Sequence, residues 1–214
     1  MKLHVESRGQ GPDLVLLHGW AMHGGMWGPW LDGLVGEARL HIVDLPGHGH
    51  SPWVTEASDL AGLAEAVVPL VPRGATILGW SLGGMVALEL ARRHPGHVQA
   101  LVLVATTPKF LAGPDWEHGL EPAVLNGFAQ GLEADSRRTV QNFLALQARG
   151  DARAAATLRA LRDLIVSRGE PDRRALAAGL HILSSVDLRH ELPRIALPAL
   201  VIAGAHDRLT PCAA

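Results

Sequence analysis

The chain has 214 residues, of which 48% are hydrophobic and 19% are charged, and its formal net charge is −2. This composition is typical of a soluble globular protein with one α/β domain and an insertion, and it gives no reason to expect a nucleic-acid or membrane partner. A single cysteine, Cys212, excludes an internal disulfide, and no apolar run has the length of a signal peptide core or a membrane span. We therefore expect a cytoplasmic, monomeric protein.

Strands and helices are predicted to alternate over the first hundred residues. Short, largely apolar runs predict strands at residues 2–7, 13–17, 39–44, 75–78 and 98–105. Helical patterns cover residues 26–35, 60–71 and 85–93, and Asp59 is a predicted N-cap. This alternation predicts a mostly parallel sheet with helices on both faces.

The turn between the strand at 75–78 and the helix at 85–93 has the sequence Gly-Trp-Ser-Leu-Gly-Gly, residues 79–84. Strand, G-x-S-x-G turn and helix together are typical of a nucleophile elbow, in which the serine sits at the apex of a strained turn. Ser81 is therefore the candidate nucleophile. The alternative is a glycine-rich turn that binds nothing or cradles a phosphate.

A second loop, His18-Gly19-Trp20, follows the strand at residues 13–17. Held close to the elbow, the main-chain N–H of Trp20 would supply one oxyanion donor and that of Leu82 the other. The alternative is that Trp20 is a core aromatic and that the preceding residues only form a turn.

His48 and His50 lie in a loop rich in turn residues. Because no third ligand follows at a recognisable spacing, a loop role is favoured over a metal site. No metal or cofactor is predicted.

The pattern changes after residue 112. Residues 113–186 contain helix starts near positions 121, 135, 151 and 171 and no convincing strand, which predicts a lid of about four helices inserted between a first core segment, 1–112, and a second, 187–214. Between positions 135 and 168 this segment carries seven arginines and three acidic residues, a net charge of +4. This is either a solvated helical surface or a docking surface for an acidic partner. The arginines are Arg137, Arg138, Arg149, Arg153, Arg159, Arg162 and Arg168.

The sheet is predicted to resume at residues 196–204, and Asp207 follows it. An acid just beyond a late strand, after the serine in chain order, is the position of the carboxylate in a hydrolase triad. The alternative is an aspartate that only caps a turn.

Together these segments resemble the α/β-hydrolase fold, and within it the carboxylesterases of biotin synthesis that act on the methyl ester of pimeloyl-acyl-carrier protein. The likeness covers nearly the whole chain. The likeness includes residues 16–20, 44–51 and 79–84, which many hydrolases share, and the lid segment 138–147. Within that segment residues 143–147, together with residues 186–189, narrow the resemblance to these carboxylesterases.

The resemblance implies a role for each matching residue. It makes Ser81 the nucleophile, Asp207 the acid, and Trp20 and Leu82 the oxyanion donors. Five lid residues would line the acyl groove: Phe143, Leu144, Ala145, Leu146 and Gln147. Lid arginines, for which we select Arg138, Arg153 and Arg159, would face the acidic acyl carrier protein.

The general base departs from the family pattern. In the family it is a histidine after one further strand, but none of the 12 histidines here lies beyond Asp207, and the sequence ends at Ala214. His206 is a poor substitute, because neighbours in an extended segment point to opposite sides. We therefore expect a hydrolase that lacks its last strand and helix, with an open apolar sheet edge and little activity of its own.

Two other functions are compatible with the motifs. A general serine esterase or a carbon–carbon bond hydrolase of the same fold would carry the same elbow. A non-catalytic binding module could also keep the fold and a ligand groove.

Overall fold

A computed structural model describes residues 2–147 and 154–214. In the described chain, the strands are β1 (Val5–Arg8), β2 (Asp13–Leu17), β3 (Arg39–Val43), β4 (Ala75–Trp80), β5 (Val98–Val104) and β6 (Ala199–Ile202). They form one sheet in the order β1-β3-β2-β4-β5-β6. Only β1 is antiparallel to its neighbour, and every other pair is parallel. The predicted mostly parallel sheet is confirmed, and the loops that leave the parallel strands lie at one edge, where such folds bind ligands.

Helices cover the sheet and build the lid. They are α1 (Leu60–Val67), α2 (Leu82–Arg93), α3 (Pro122–Ala134), α4 (Ser136–Gln147), α5 (Ala154–Ser167) and α6 (Arg173–Ser185). Shorter 3-10 segments are Gly24–Gly33, Thr55–Ser58, Val68–Leu70 and Leu192–Arg194. Of the described helices, none is both long and apolar enough to cross a membrane.

Two predicted helices differ from the observed ones. The segment predicted at 26–35 is a kinked 3-10 helix, Gly24–Gly33, because Gly28 has a φ of 50° that interrupts helical geometry. The helix predicted to reach residue 71 ends at Val67 and continues as a 3-10 turn that contains Pro69. Proline has no N–H to donate and its ring clashes with the preceding helical turn, which explains the early end.

Helices α3 to α6 form the predicted helical insertion. Its start signals at 121, 135 and 171 agree with the observed helices, whereas the signal at 151 lies outside the described residues. At the base of the insertion, Arg189 bonds to Asp187 at 2.7 Å and to Asp115 at 2.5 Å, while Lys109 bonds to Asp115 at 2.9 Å. These ion pairs join the chain that enters the lid to the chain that leaves it.

The core lies on both faces of the central strands, and β2 and β4 contribute residues with no exposed surface, such as Val15 and Ile77. The outer strand β6 is different. Its residues Leu200, Val201 and Ile202 are between 46% and 63% exposed. In the described chain β6 is the outer strand on this side of the sheet, next to β5 alone.

Candidate active site

Ser81 occupies the turn between β4 and α2. Its φ of 54° and ψ of −118° are unusual for a residue with a side chain, and the conformation is held by a hydrogen bond from its N–H to Val104 O at 2.9 Å. The side chain is partly exposed, and its hydroxyl has no hydrogen-bond partner among the residues that the structure describes. The strained turn therefore presents a free hydroxyl at the carboxyl edge of the sheet.

Two glycines allow this turn to close. A Cβ on Gly79 would lie 2.5 Å from the carbonyl oxygen of Gly83, and a Cβ on Gly83 would lie 2.2 Å from that of Leu17. Neither distance is possible for a real Cβ, so any side chain here would push the elements apart. Gly83 thus brings the start of α2 onto the end of β2, where the oxyanion loop begins.

The structure places the loop of residues 18–20 beside Ser81. A Cβ on Gly19 would lie 3.3 Å from the Cβ of Ser81. Leu82 is the first residue of α2, so its N–H has no acceptor within the helix. In the described chain neither that N–H nor the N–H of Trp20 has a backbone acceptor. Two main-chain N–H groups, one in the residue after Ser81 and one in the residue after Gly19, are therefore free of backbone partners in the part of the chain that the structure describes.

The side chain of Trp20 is a core aromatic, as the alternative interpretation required. It is 2% exposed, and its Nε1–H donates to Leu176 O at 2.9 Å. The oxyanion donor expected from the sequence is the main-chain N–H of Trp20, so the buried side chain does not conflict with that prediction.

His18 precedes this loop and is completely buried. The Leu45 N–H donates to its Nε2 at 2.9 Å, so the ring proton is on Nδ1, which donates to Gly19 O at 2.8 Å. Burial, and then the neighbouring His48 ring 5.2 Å away, lower the pKa of His18 to about 3. His18 is therefore neutral. Because both of its ring nitrogens are hydrogen-bonded to main-chain groups, it is not available as the triad base.

Asp207 follows β6 and lies at the same edge of the sheet as Ser81, since β4, β5 and β6 are successive parallel neighbours. Strands are spaced by about 4.8 Å, which puts the ends of β4 and β6 roughly 10 Å apart.

The carboxylate of Asp207 is held by its own loop. Oδ1 accepts from the N–H groups of Leu209 at 2.8 Å and Thr210 at 3.0 Å, and Oδ2 accepts from the Thr210 hydroxyl at 2.9 Å. The turn role considered for this residue is thus real. Among the described residues, no histidine is hydrogen-bonded to Asp207 or to Ser81, and His206 is exposed.

Lid helices α4 and α6 cover the oxyanion loop. A Cβ on Gly179 of α6 would lie 2.4 Å from Trp20 Cδ1, and the ring of Phe143 in α4 packs edge to face on Trp20 with centroids 4.7 Å apart. Leu144 is fully buried and lines a separate cavity of about 240 Å³ between α4, α5 and α6. Of the remaining predicted groove residues, Ala145, Leu146 and Gln147 are half-buried.

A buried ion pair that the sequence analysis missed joins the lid to the core. Asp44, at the end of β3, has no exposed surface, and Arg168 Nη1 lies 3.3 Å from both of its carboxylate oxygens. Burial raises the pKa of Asp44. Hydrogen bonds from the main-chain N–H groups of His50 and Gly24, together with the charge of Arg168, lower it by more, so the pKa lies below its usual value. Arg168 is one of the seven arginines of the predicted basic segment, and for this residue the prediction of a surface position is wrong because its side chain is only 17% exposed.

The remaining lid arginines are distributed differently. Arg138 in α4 and Arg159 in α5 are exposed, whereas Arg153 lies outside the described residues. Arg137 is 3.5 Å from Glu170. Two of the three arginines selected from the sequence are therefore exposed.

Comparison with known proteins identifies the fold family. Residues 12–213 match the family model described as alpha/beta hydrolase fold. Solved structures that superpose on the chain include a hydrolase from Pseudomonas aeruginosa, with a TM-score of 0.78, 30% identity and coverage of 99% of this chain and 79% of that one. An enol-lactonase from Burkholderia xenovorans superposes with a TM-score of 0.84 at 26% identity, covering 99% of this chain and 81% of that one.

Relatives of higher sequence identity share one specific name. A pimeloyl-acyl-carrier-protein methyl ester esterase from Stenotrophomonas maltophilia is 46% identical, and the match covers 99% of this chain and 81% of that protein. The protein of the same name from Aeromonas hydrophila is also 46% identical, with coverage of 99% and 83%. The chain therefore belongs to the alpha/beta hydrolase fold family, among relatives that carry the name pimeloyl-acyl-carrier-protein methyl ester esterase.

Proposed function

We propose that this chain is a serine carboxylesterase that hydrolyses the methyl ester of a pimeloyl group carried on acyl carrier protein. The observation that carries the proposal is the elbow, where Ser81 occupies a strained turn and the main-chain N–H groups of Leu82 and Trp20 have no backbone acceptor among the described residues. The names of the relatives at 46% identity supply the substrate.

The proposed reaction has two steps. The Ser81 oxygen attacks the ester carbonyl as a base removes its proton, and the N–H groups of Trp20 and Leu82 hold the oxyanion. Each donor is typically worth about 3 kcal/mol in the transition state. Methanol then leaves with a proton, and water attacks the acyl-enzyme to release the free acid and the serine.

The base is the part of this mechanism that the described residues do not supply. Loss of a triad histidine lowers turnover by about 10⁶-fold in a well-studied serine protease. Free imidazole has the same proton chemistry as a triad histidine. We therefore expect added imidazole to restore part of the activity.

The test follows hydrolysis of a small soluble methyl ester with and without imidazole, for the native chain and for Ser81→Ala. A positioned general base contributes typically 10²- to 10⁴-fold, and a free one recovers only part of this, so we expect a Ser81-dependent acceleration of about tenfold. Equal rates in the native chain and in Ser81→Ala at every imidazole concentration would remove the serine mechanism. This would leave the binding-module alternative.

The carrier-protein partner is proposed from the exposed lid arginines. Acyl carrier proteins are acidic, and exposed basic side chains on the helical insertion would raise their association rate. The double variant Arg138→Glu and Arg159→Glu should weaken turnover of the carrier-linked ester and spare the small free ester. Arg73→Glu, an exposed charge reversal before β4, is the matched control. Equal losses on both esters would refute docking through this surface.

The acyl groove is proposed to run along α4, where Phe143 contacts Trp20. Phe143→Ala should raise KM for the seven-carbon pimeloyl ester more than KM for methyl acetate, because only the long chain reaches the ring. The same change in both KM values would indicate a packing role alone.

A further inference from the structure

The oxyanion donor of Trp20 shares one peptide group with the carbonyl of Gly19. No peptide bond in the described part of the chain is cis, and in a trans peptide the C=O and N–H point to opposite sides of a rigid plane. Whatever fixes the direction of the Gly19 oxygen therefore fixes the direction of the Trp20 N–H. This oxygen accepts two hydrogen bonds, from His18 Nδ1 at 2.8 Å and from Met22 N at 3.2 Å.

His18 is itself fixed from its other side. Its Nε2 accepts the Leu45 N–H at 2.9 Å, and the side chain has no exposed surface. Leu45 lies just after β3, the parallel neighbour of β2. The imidazole thus joins the loops after two adjacent strands and can donate only through Nδ1.

The loop that it holds is strained. Ala21 has a φ of 62°, which a residue with a side chain adopts only when its surroundings impose it. The Met22 bond closes the turn over this residue, but it is the longer of the two bonds to Gly19 O. The shorter bond comes from His18.

We propose that His18 is a positioning residue for catalysis: its Nδ1–H holds the Gly19 carbonyl and so aims the Trp20 N–H at the oxyanion beside Ser81. The proposal rests on the proposed function, because the donor role of Trp20 is assigned there. It adds a side chain that never touches the substrate yet controls one of the two donors. The sequence shows only a histidine before a glycine and gives no sign of its partner at position 45.

Two variants separate the two hydrogen bonds of His18. In His18→Asn the amide nitrogen replaces Nδ1 and can still donate to Gly19 O, while the bond from Leu45 is lost. In His18→Gln the amide oxygen replaces Nε2 and can still accept from Leu45, while the bond to Gly19 is lost. Both variants replace the imidazole ring by an amide, so each serves as the packing control for the other.

The readout is the kcat and KM of the imidazole-assisted hydrolysis, measured beside the urea midpoint of each variant. Removing one oxyanion donor costs about 10²- to 10³-fold in kcat, and misdirecting it costs part of that. We expect kcat to fall roughly 30-fold in His18→Gln with KM unchanged, and to stay within about threefold of the native value in His18→Asn. Equal kcat values in the two variants, or losses that follow the urea midpoint, would overturn the proposal.

The native protein provides a second measurement that does not depend on the folding of variants. The ¹⁵N chemical shifts of the His18 ring should show a proton on Nδ1 and none on Nε2 at neutral pH. A proton on Nε2 would overturn the assignment of the donor. Failure of the proposed function has a different signature, since Ser81→Ala would then keep the imidazole-dependent rate.

Discussion

Acid should destabilise this protein through histidines buried in the neutral form, and His48 is the clearest case. It is 4% exposed, its Nδ1–H donates to Pro46 O at 2.9 Å, and its Nε2 has no partner among the described residues. Burial lowers the pKa of His48 to about 4. The perturbation is His48→Asn, which keeps a donor near the Nδ1 position and removes the titrating group.

The magnitude follows from the two protonation equilibria. In the unfolded chain a histidine has a pKa of about 6.5, so it binds a proton as the pH falls below that value, whereas native His48 remains neutral down to about pH 4. Because the unfolded state binds more protons in this window, the free energy of unfolding falls with falling pH. Between pH 7 and pH 5 one such histidine lowers it by about 2 kcal/mol. His18, also buried and neutral, contributes a similar amount.

The assay is urea unfolding at pH 7 and pH 5, followed by the fluorescence of the six tryptophans. The quantity compared is the change in unfolding free energy between the two pH values, which does not depend on how much His48→Asn costs at pH 7. We expect the variant to lose about 2 kcal/mol less than the native chain over this interval. The exposed His190→Asn is the control and should behave as the native chain. If His48→Asn lost as much unfolding free energy between pH 7 and pH 5 as the native chain, the reasoning would be refuted, because His48 would then not be the group that titrates on unfolding.

Two further substitutions test the packing that positions the site. Gly83→Ala would place a Cβ 2.2 Å from a main-chain oxygen at the end of β2, so we expect the free energy of unfolding to fall by about 3 kcal/mol and the Ser81-dependent activity to be lost. The control is Gly127→Ala, in open space on α3, which should raise the free energy of unfolding by about 0.5–1 kcal/mol. An unchanged free energy of unfolding in Gly83→Ala would contradict the close approach of α2 to the end of β2. Arg168→Met leaves the carboxylate of Asp44 without its cation, and we expect the free energy of unfolding in urea to fall by about 3 kcal/mol. Arg162→Met, at an exposed position of the helix α5 that precedes Arg168, should lower it by less than about 0.5 kcal/mol. Similar losses in both arginine variants would show that the Asp44 pair contributes nothing.

Local patterns predicted the sheet well because its strands are short apolar runs between turn residues. β2 was predicted at its observed bounds, and the α4 start at position 136 followed from Asp135, whose carboxylate accepts the Arg138 N–H at 2.9 Å. The helix predicted at 26–35 was wrong in type, since one glycine with positive φ was enough to break it. Element type was thus predictable where periodicity and capping agreed.

The site was predictable in part for a related reason. Ser81 and Asp207 occupy positions that follow from strand ends, and strand ends are visible in the sequence. The ion pair between Arg168 and Asp44 joins residues 124 positions apart, and the bond between His18 and Leu45 crosses from one loop to another. Such pairs depend on packing in three dimensions, which hydrophobic periodicity does not encode.

The central claim is that the hydroxyl at the elbow is a nucleophile. The most direct test treats the full chain with a fluorophosphonate in the presence of imidazole and locates the adduct by peptide mass spectrometry. The serine oxygen would form a bond to phosphorus as fluoride leaves and imidazole takes the proton. We predict one adduct, on Ser81, that is absent in Ser81→Ala and forms faster with imidazole than without it. An unmodified Ser81, or an adduct that forms equally in Ser81→Ala, would contradict the account.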